Sequence, residues 1–367
     1  MRKIVVMALA MLATVVVCLP VSAASGWTTP RSLSDAVLSQ PSSVVDARGA
    51  VHIAARGTNG LWYLTNKSGH WTRVRLTRDQ PHQEGTVTSG SPVIALDRWD
   101  GSLTVVYVVN DGTCCPGNIS LAYVTDRHAG GPGTWSAPRS IPYGSATDPS
   151  LSVVVRHGVI AIAANTGVYD VTGVEFITNA GGRWTHEEIR ASGQRWAGEP
   201  SLALDRQGRP VIAYQVHGGY PKADAIRLAI GTTTTGRFAT ARVVAMPGAS
   251  DPSLALDAKG RPRFVFYGDG GTYEARRTAS GWHTRLIWQG GHDSELRIGR
   301  GGHPRVVGVR ETPTPRIWYA KWASGAWHRT RLTTHPTSQP TLAVGTSTTP
   351  DHVAYVLGGH VWYTHSK

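Results

Sequence analysis

Four carboxylates in this 367-residue chain recur at one place, each just ahead of a Pro-Ser-type segment or its equivalent: Asp148, Glu199, Asp251 and Asp293. The matching positions of the other copies hold Gln40, Ser91 and Gln339. Like charges gathered on one funnel raise one another's pKa or hold a cation, and Ca²⁺ is the cation such oxygen ligands would accept. Two of them roughly 5 to 10 Å apart would also suit glycoside hydrolysis, one as acid and the other as nucleophile or base. His292, Arg56, Arg310 and Glu311 fall nearby in the pattern, where they could bind a carboxylate or sugar hydroxyls. A plainer reading competes, in which an acidic residue before Pro-Ser accepts backbone N–H bonds and caps a turn.

Cys114 and Cys115 are neighbours in the segment Asp-Gly-Thr-Cys-Cys-Pro-Gly at 111–117, and the only other cysteine is Cys18. In an exported protein they form either a vicinal disulfide or two free thiols. A vicinal ring would be a rigid apolar plate able to stack against a sugar. Walker-type loops, Gly-rich dinucleotide turns and zinc-type cysteine spacings are absent, and the 15 histidines are scattered. No cofactor is required and no transition-metal site is expected.

The elements that must position these residues come from a repeat of roughly 45 to 55 residues. Its anchor reads Pro-Ser-Leu-Ala-Leu-Asp at 200–205 and 252–257, with weaker copies at 41–46, 92–97, 149–154, 294–299 and 340–344. Alternating small and large apolar residues suit an innermost strand, A, near a crowded axis. Asp-x-x-Gly turns follow at 46–49, 205–208 and 257–260. Next come a β-branched and aromatic strand B, a strand C typified by Leu61-Trp62-Tyr63, and a strand D that opens on an aromatic residue. The D aromatics are Trp71, Trp135, Trp184, Phe238, Trp282 and Trp327, and Trp27 makes a seventh. Their recurrence marks them as packing residues between sheets.

Sheets apolar on both faces cannot stand alone, and radial stacking buries them. The repeat therefore predicts an all-β protein: a seven-bladed β-propeller of four-stranded antiparallel blades. Its last copy stops after three strands at 361–365, so the fragment Gly-Trp-Thr-Thr-Pro-Arg-Ser-Leu at 26–33 is expected to supply the fourth and close the ring. The Gly-containing turns leading to Trp at 279–282, 323–327 and 66–71 resemble the Asp-box corner of the sialidase-like (BNR) propeller superfamily, and the resemblance implies that fold.

Met1-Arg2-Lys3, an apolar run over 4–17 and Val21-Ser22-Ala23 read as a signal peptide at 1–23, leaving one propeller domain over 24–367. A secreted or cell-surface product without a membrane span is expected. The formal charge of +13 becomes +11 once Arg2 and Lys3 are removed, and arginines on outer strands would discourage edge-to-edge aggregation. Nucleic acid is not expected as a partner, and a monomer is. The loops at 77–90, 110–118, 190–198 and 217–225 differ from copy to copy whereas the A–B and C–D turns repeat, so a site belongs on the loop side. The leading expectation is a lectin-like, non-enzymatic binder of a glycan or other polar ligand in the funnel. The alternatives are a sialidase-like glycoside hydrolase using paired carboxylates, or a non-catalytic surface scaffold.

Overall fold

The computed structural model describes residues 24–82, 85–110, 119–127, 134–142, 150–168, 171–189, 196–217, 224–311, 314–335, 337–345 and 349–367. Asp148, Cys114, Cys115 and the expected leader at 1–23 lie outside them. The chain is a seven-bladed β-propeller of four-stranded antiparallel blades. The inner strands of blades 1 to 7 are Leu38–Val45, Gly85–Leu96, Leu151–Arg156, Trp196–Leu204, Ser250–Leu256, His292–Ile298 and Ser338–Val344. In blade 7 the outermost strand is Arg31–Ser32, with Arg31 opposite Tyr363 and Ser32 opposite Trp362. Thr28 and Leu33 extend the seam by donating backbone N–H groups to the carbonyls of His365 and Val361, each at 2.9 Å.

The interior consists of residues shared between neighbouring blades. One buried cluster joins Ala161 and Phe176 of blade 3 to Ile212 and Tyr214 of blade 4, and another joins Val307 and Tyr319 of blade 6 to Leu342 and Tyr355 of blade 7. The D-strand aromatics hold these seams. Trp27 meets Tyr319 edge-on at 4.9 Å, Trp71 meets Tyr363 at 5.0 Å, Trp135 meets Tyr63 at 5.0 Å and Trp184 meets Tyr123 at 5.7 Å. In each case the outer strand of one blade lies against strand C of the blade before it. Such pairs contribute about 0.5–1.5 kcal/mol beyond the area they bury.

A second ring of contacts lies nearer the axis. The Ser42 hydroxyl accepts the N–H of Ile94 (3.2 Å), Ser152 that of Leu202 (2.9 Å), Ser201 that of Leu254 (2.8 Å) and Ser253 that of Leu296 (2.9 Å). Glu295 does the same for Leu342 (2.7 Å), and Thr341 for Ser43 (3.1 Å). In six of the seven blades a side chain of the inner strand thus satisfies a main-chain donor of the next blade's inner strand. Blade 2 carries apolar Val93 at this position. The recurring Ser is thereby explained by a donor that would otherwise be buried without a partner.

The two faces of the disc differ. On the turn face, the Asp46, Asp205 and Asp257 carboxylates each accept two backbone N–H groups of their own A–B turns. Gly49, Gly208 and Gly260 complete these turns at φ of 87°, 79° and 75°. On the loop face, the inner strands begin with a β-bulge. Ser39/Ser42, Gly90/Val93, Gly198/Ser201, Ser250/Ser253, His292/Glu295 and Ser338/Thr341 each bracket one residue more than the partner strand does.

Candidate functional site

The bulge sets the geometry of the loop-face rim. Gln40, Glu199, Asp251, Asp293 and Gln339 all sit in the left-handed region, at φ of 49°, 48°, 50°, 49° and 50°. Short polar side chains tolerate this conformation better than apolar ones, and a bulge of this kind re-aims the side chain it carries. Blade 3 differs from the expected alignment. The bond from Leu202 to Ser152 corresponds to that from Leu254 to Ser201, so Ser152 matches Ser201 and Ser150 stands where blade 4 has Glu199. Asp148 is two residues further out along the chain.

Four of the expected site residues, Asp251, His292, Asp293 and Glu311, come together across blades 5 and 6. His292 Nδ1 lies 3.0 Å from Asp293 Oδ2, and His292 Nε2 lies 3.1 Å from Glu311 Oε1. The bond to Asp293 raises the His292 pKa, with the charges of Asp293, Glu311 and Asp251 adding to it against a desolvation cost. Asp251 accepts a hydrogen bond from the Ser250 hydroxyl at 3.0 Å. Burial pushes its carboxyl above the ordinary range and the charge of Asp293 adds to that, whereas Ser250 and His292 pull it back. The outcome is a half-exposed acid–imidazole–acid chain beside a carboxyl that resists ionisation. It can donate and accept hydrogen bonds within a few ångströms and can hold a proton.

The other candidates are engaged elsewhere. Glu199 accepts from the Ser150 hydroxyl at 2.9 Å and so bridges blade 4 back to blade 3. Arg56 binds Asp79 through both guanidinium arms, at 3.1 and 2.8 Å. Arg310 donates to the Gln289 carbonyl at 3.1 Å and stacks on Trp318 at 5.2 Å. The channel is a cavity of about 430 Å³ walled by the prolines and hydroxyls that follow the rim residues, such as Pro200, Ser201, Pro252 and Ser253; the rim carboxylates themselves do not line it. Among the described residues, no group of three or more His, Cys, Asp or Glu side chains is placed to hold a metal ion.

One rim residue was not anticipated. Trp196 opens the inner strand of blade 4 half-buried, its ring 4.8 Å from that of His217, and His217 in turn contacts Asp224 at 2.7 Å and Gln215 at 3.1 Å. The ring lies against Gly198, where a Cβ would come within 2.9 Å of it. The signal in the sequence was a tryptophan outside the C- and D-strand positions that tryptophan otherwise favours.

No family model and no curated protein matches the chain. Solved structures do match in fold. A polysaccharide lyase described as an ulvan lyase superposes with a TM-score of 0.62 at 11% identity, over 90% of this chain and 94% of the lyase. A Hadza microbial sialidase gives 0.56 at 14% identity over 92% of this chain and 68% of the sialidase. A protein of unknown function from Dyadobacter fermentans gives 0.56 at 14% identity, over 78% of this chain and 97% of its own. The class is therefore a seven-bladed β-propeller. At these identities the likeness concerns the fold.

Proposed function

We propose that the protein is an exported carbohydrate-recognition propeller without catalytic activity, binding glycan on the loop-face rim of blades 4 to 6. The observation that carries this reading is the Glu311–His292–Asp293 chain beside Asp251, where expected site residues meet on the rim. Carboxylates and a charged imidazole are suited to sugar hydroxyls, which donate and accept together. Trp196 supplies an amphipathic ring on the same rim, of the kind that packs against the apolar face of a pyranose. The fold is shared with polysaccharide lyases and sialidases, which supports a carbohydrate ligand over other polar ligands.

The test is binding of the purified chain to a broad glycan array, with added Ca²⁺ and with chelator. Hits should weaken about tenfold in His292→Gln and in Trp196→Ala, the loss of one charge-assisted bond or one stacking contact. Absence of any hit under both conditions, or hits that both variants retain in full, would overturn the proposal.

A further inference from the structure

The turn face of blade 5 has a charge arrangement that folding alone does not explain. Arg263 on strand B is directly opposite Arg276 on strand C, and Arg276 is directly opposite His283 on strand D. Directly opposed residues of an antiparallel pair share one face, and like charges so placed are destabilising. Arg277 follows Arg276, and Arg285, on the same face as Arg276 and Glu274, lies 4.6 Å over the Trp322 ring of blade 6. Two carboxylates answer this set: Glu274 pairs with Arg263 at 3.1 Å, and Asp257 with Arg261 at 2.7 Å. Arg276 and Arg277 have no ion-pair partner among the described residues. Burial holds the Arg263 guanidinium below its ordinary value, against the pull of Glu274 and with Arg276 adding to the effect.

The same residues line a connected path. A cavity of about 670 Å³ at the turn-face mouth of the channel is bounded by Arg98, Asp257 and Ala258. Asp257 also borders a second cavity, of about 220 Å³, lined by Arg261, Arg263, Arg276 and Arg277. Glu274, Arg276 and Thr278 then border a third, of about 320 Å³, which Ser280, His283 and Arg285 complete at the outer strand. Three hollows joined end to end by shared residues form a radial track across four strands, about 14 Å at the usual strand spacing.

We propose that this track is a second ligand site, on the face opposite the rim, and that it binds an extended acidic polysaccharide. Guanidinium forks match sulfate and carboxylate groups, and the hydroxyls of Thr278, Ser280 and Thr284 suit sugar hydroxyls between the charges. The two outer cavities have no Trp, Tyr or Phe among their lining residues, and single-stranded nucleic acid is held chiefly by aromatic stacking. An anion seated between Arg263 and Arg276 removes the repulsion that the empty sheet carries.

The experiment is calorimetric titration of the full chain at physiological ionic strength with heparin, polygalacturonate, dextran, oligo-dT and duplex DNA. Heparin or polygalacturonate should bind and dextran should not. The double variant Arg276→Gln, Arg277→Gln should weaken that binding at least about tenfold. Arg139→Gln with Arg331→Gln, which removes two charges from outer strands of blades 2 and 6, should leave it within about twofold. The proposal fails if both double variants lose binding equally, if neither acidic polymer binds, or if a nucleic acid binds more tightly than both. Arg276→Gln should also unfold at or above the wild-type temperature, because it removes a charge opposed to Arg263. A marked fall would make Arg276 a support of the blade and overturn its assignment to a ligand.

Discussion

Two adjacent blades bury the same histidine–tyrosine pair, and the pair predicts how the protein responds to acid. In blade 7, His352 Nδ1 lies 2.7 Å from the Tyr363 hydroxyl and the histidine is 4% exposed; in blade 1, His52 Nδ1 lies 2.6 Å from the Tyr63 hydroxyl and the histidine is fully buried. In the tautomer with its proton on Nε2, the neutral imidazole accepts from the Tyr hydroxyl at Nδ1, and protonation would convert that acceptor into a donor. Nε2 of His352, which carries the neutral ring's proton, has no hydrogen-bond partner, so the imidazolium's charge would be unmatched there. Burial, with the charge of His365 adding to it, lowers the His352 pKa from 6.5 to about 4. His52 is lowered by burial too, but Asp46, 3.5 Å from its Nε2, opposes the shift.

The sign follows from proton counts. Between pH 6.5 and 4 the unfolded chain holds a proton on His352 that the folded chain does not, so folding stability rises with pH across that window and is lost as pH falls. The full shift corresponds to about 3 kcal/mol, a large fraction of a typical folding free energy. The substitution is His352→Gln, which stays neutral while still able to accept from Tyr363. Urea unfolding at a series of pH values and constant ionic strength should show the wild type losing about 3 kcal/mol more than the variant between pH 7 and pH 4. His52 is common to both proteins and cancels in the difference. Parallel stability profiles for the two would refute the reasoning.

Trp27→Ala should destabilise the fold by about 3–5 kcal/mol, the usual result for truncating a buried Trp, because the ring is 4% exposed and closes the seam between blades 6 and 7. Thermal unfolding checks this, and a loss comparable to that of an exposed residue would mean that the N-terminal segment does not close blade 7. Gly198→Ala places a Cβ 2.9 Å from the Trp196 ring and must displace it. Glycan binding on the rim should fall about tenfold while the unfolding temperature changes little, as read from titration and calorimetry on the same sample.

The strands were legible because the repeat records backbone requirements. Ser42, Ser152, Ser201 and Ser253 recur since a main-chain N–H of the next blade needs an acceptor, and the D-strand aromatics recur since each seam needs a ring. The site was legible only in part, because residues before Pro-Ser carry two signals at once. Their polar character looked like convergent chemistry, yet Gln40 and Gln339 adopt the same left-handed conformation as Asp251 and Asp293, so the bulge accounts for polarity at all of them. Chemistry adds a preference for acids in blades 5 and 6, where His292 bridges Asp293 to Glu311. In blade 3, Leu151 replaces the inner-strand proline and hides the register by two residues, so the expected carboxylate was assigned to Asp148 and not to the Ser150 position. Trp196 belongs to one blade only, and a search for repeats passes over what does not repeat.

Departures from the repeat are therefore the residues to follow. Val93 departs by lacking the hydroxyl that ties other blades together, a cost in stability with no counterpart in ligand chemistry. Trp196 departs by placing an aromatic ring on the rim, 4.8 Å from the His217 ring. The pair Arg263 and Arg276 departs by opposing like charges on one face of one blade, against what strand pairing favours. A propeller with seven near-equivalent sectors has no structural reason to concentrate positive charge in blade 5 on one face and an acid–imidazole–acid chain in blade 6 on the other. The two asymmetries fall in neighbouring sectors, on opposite faces of the disc, and each burdens the fold with charges that packing does not require.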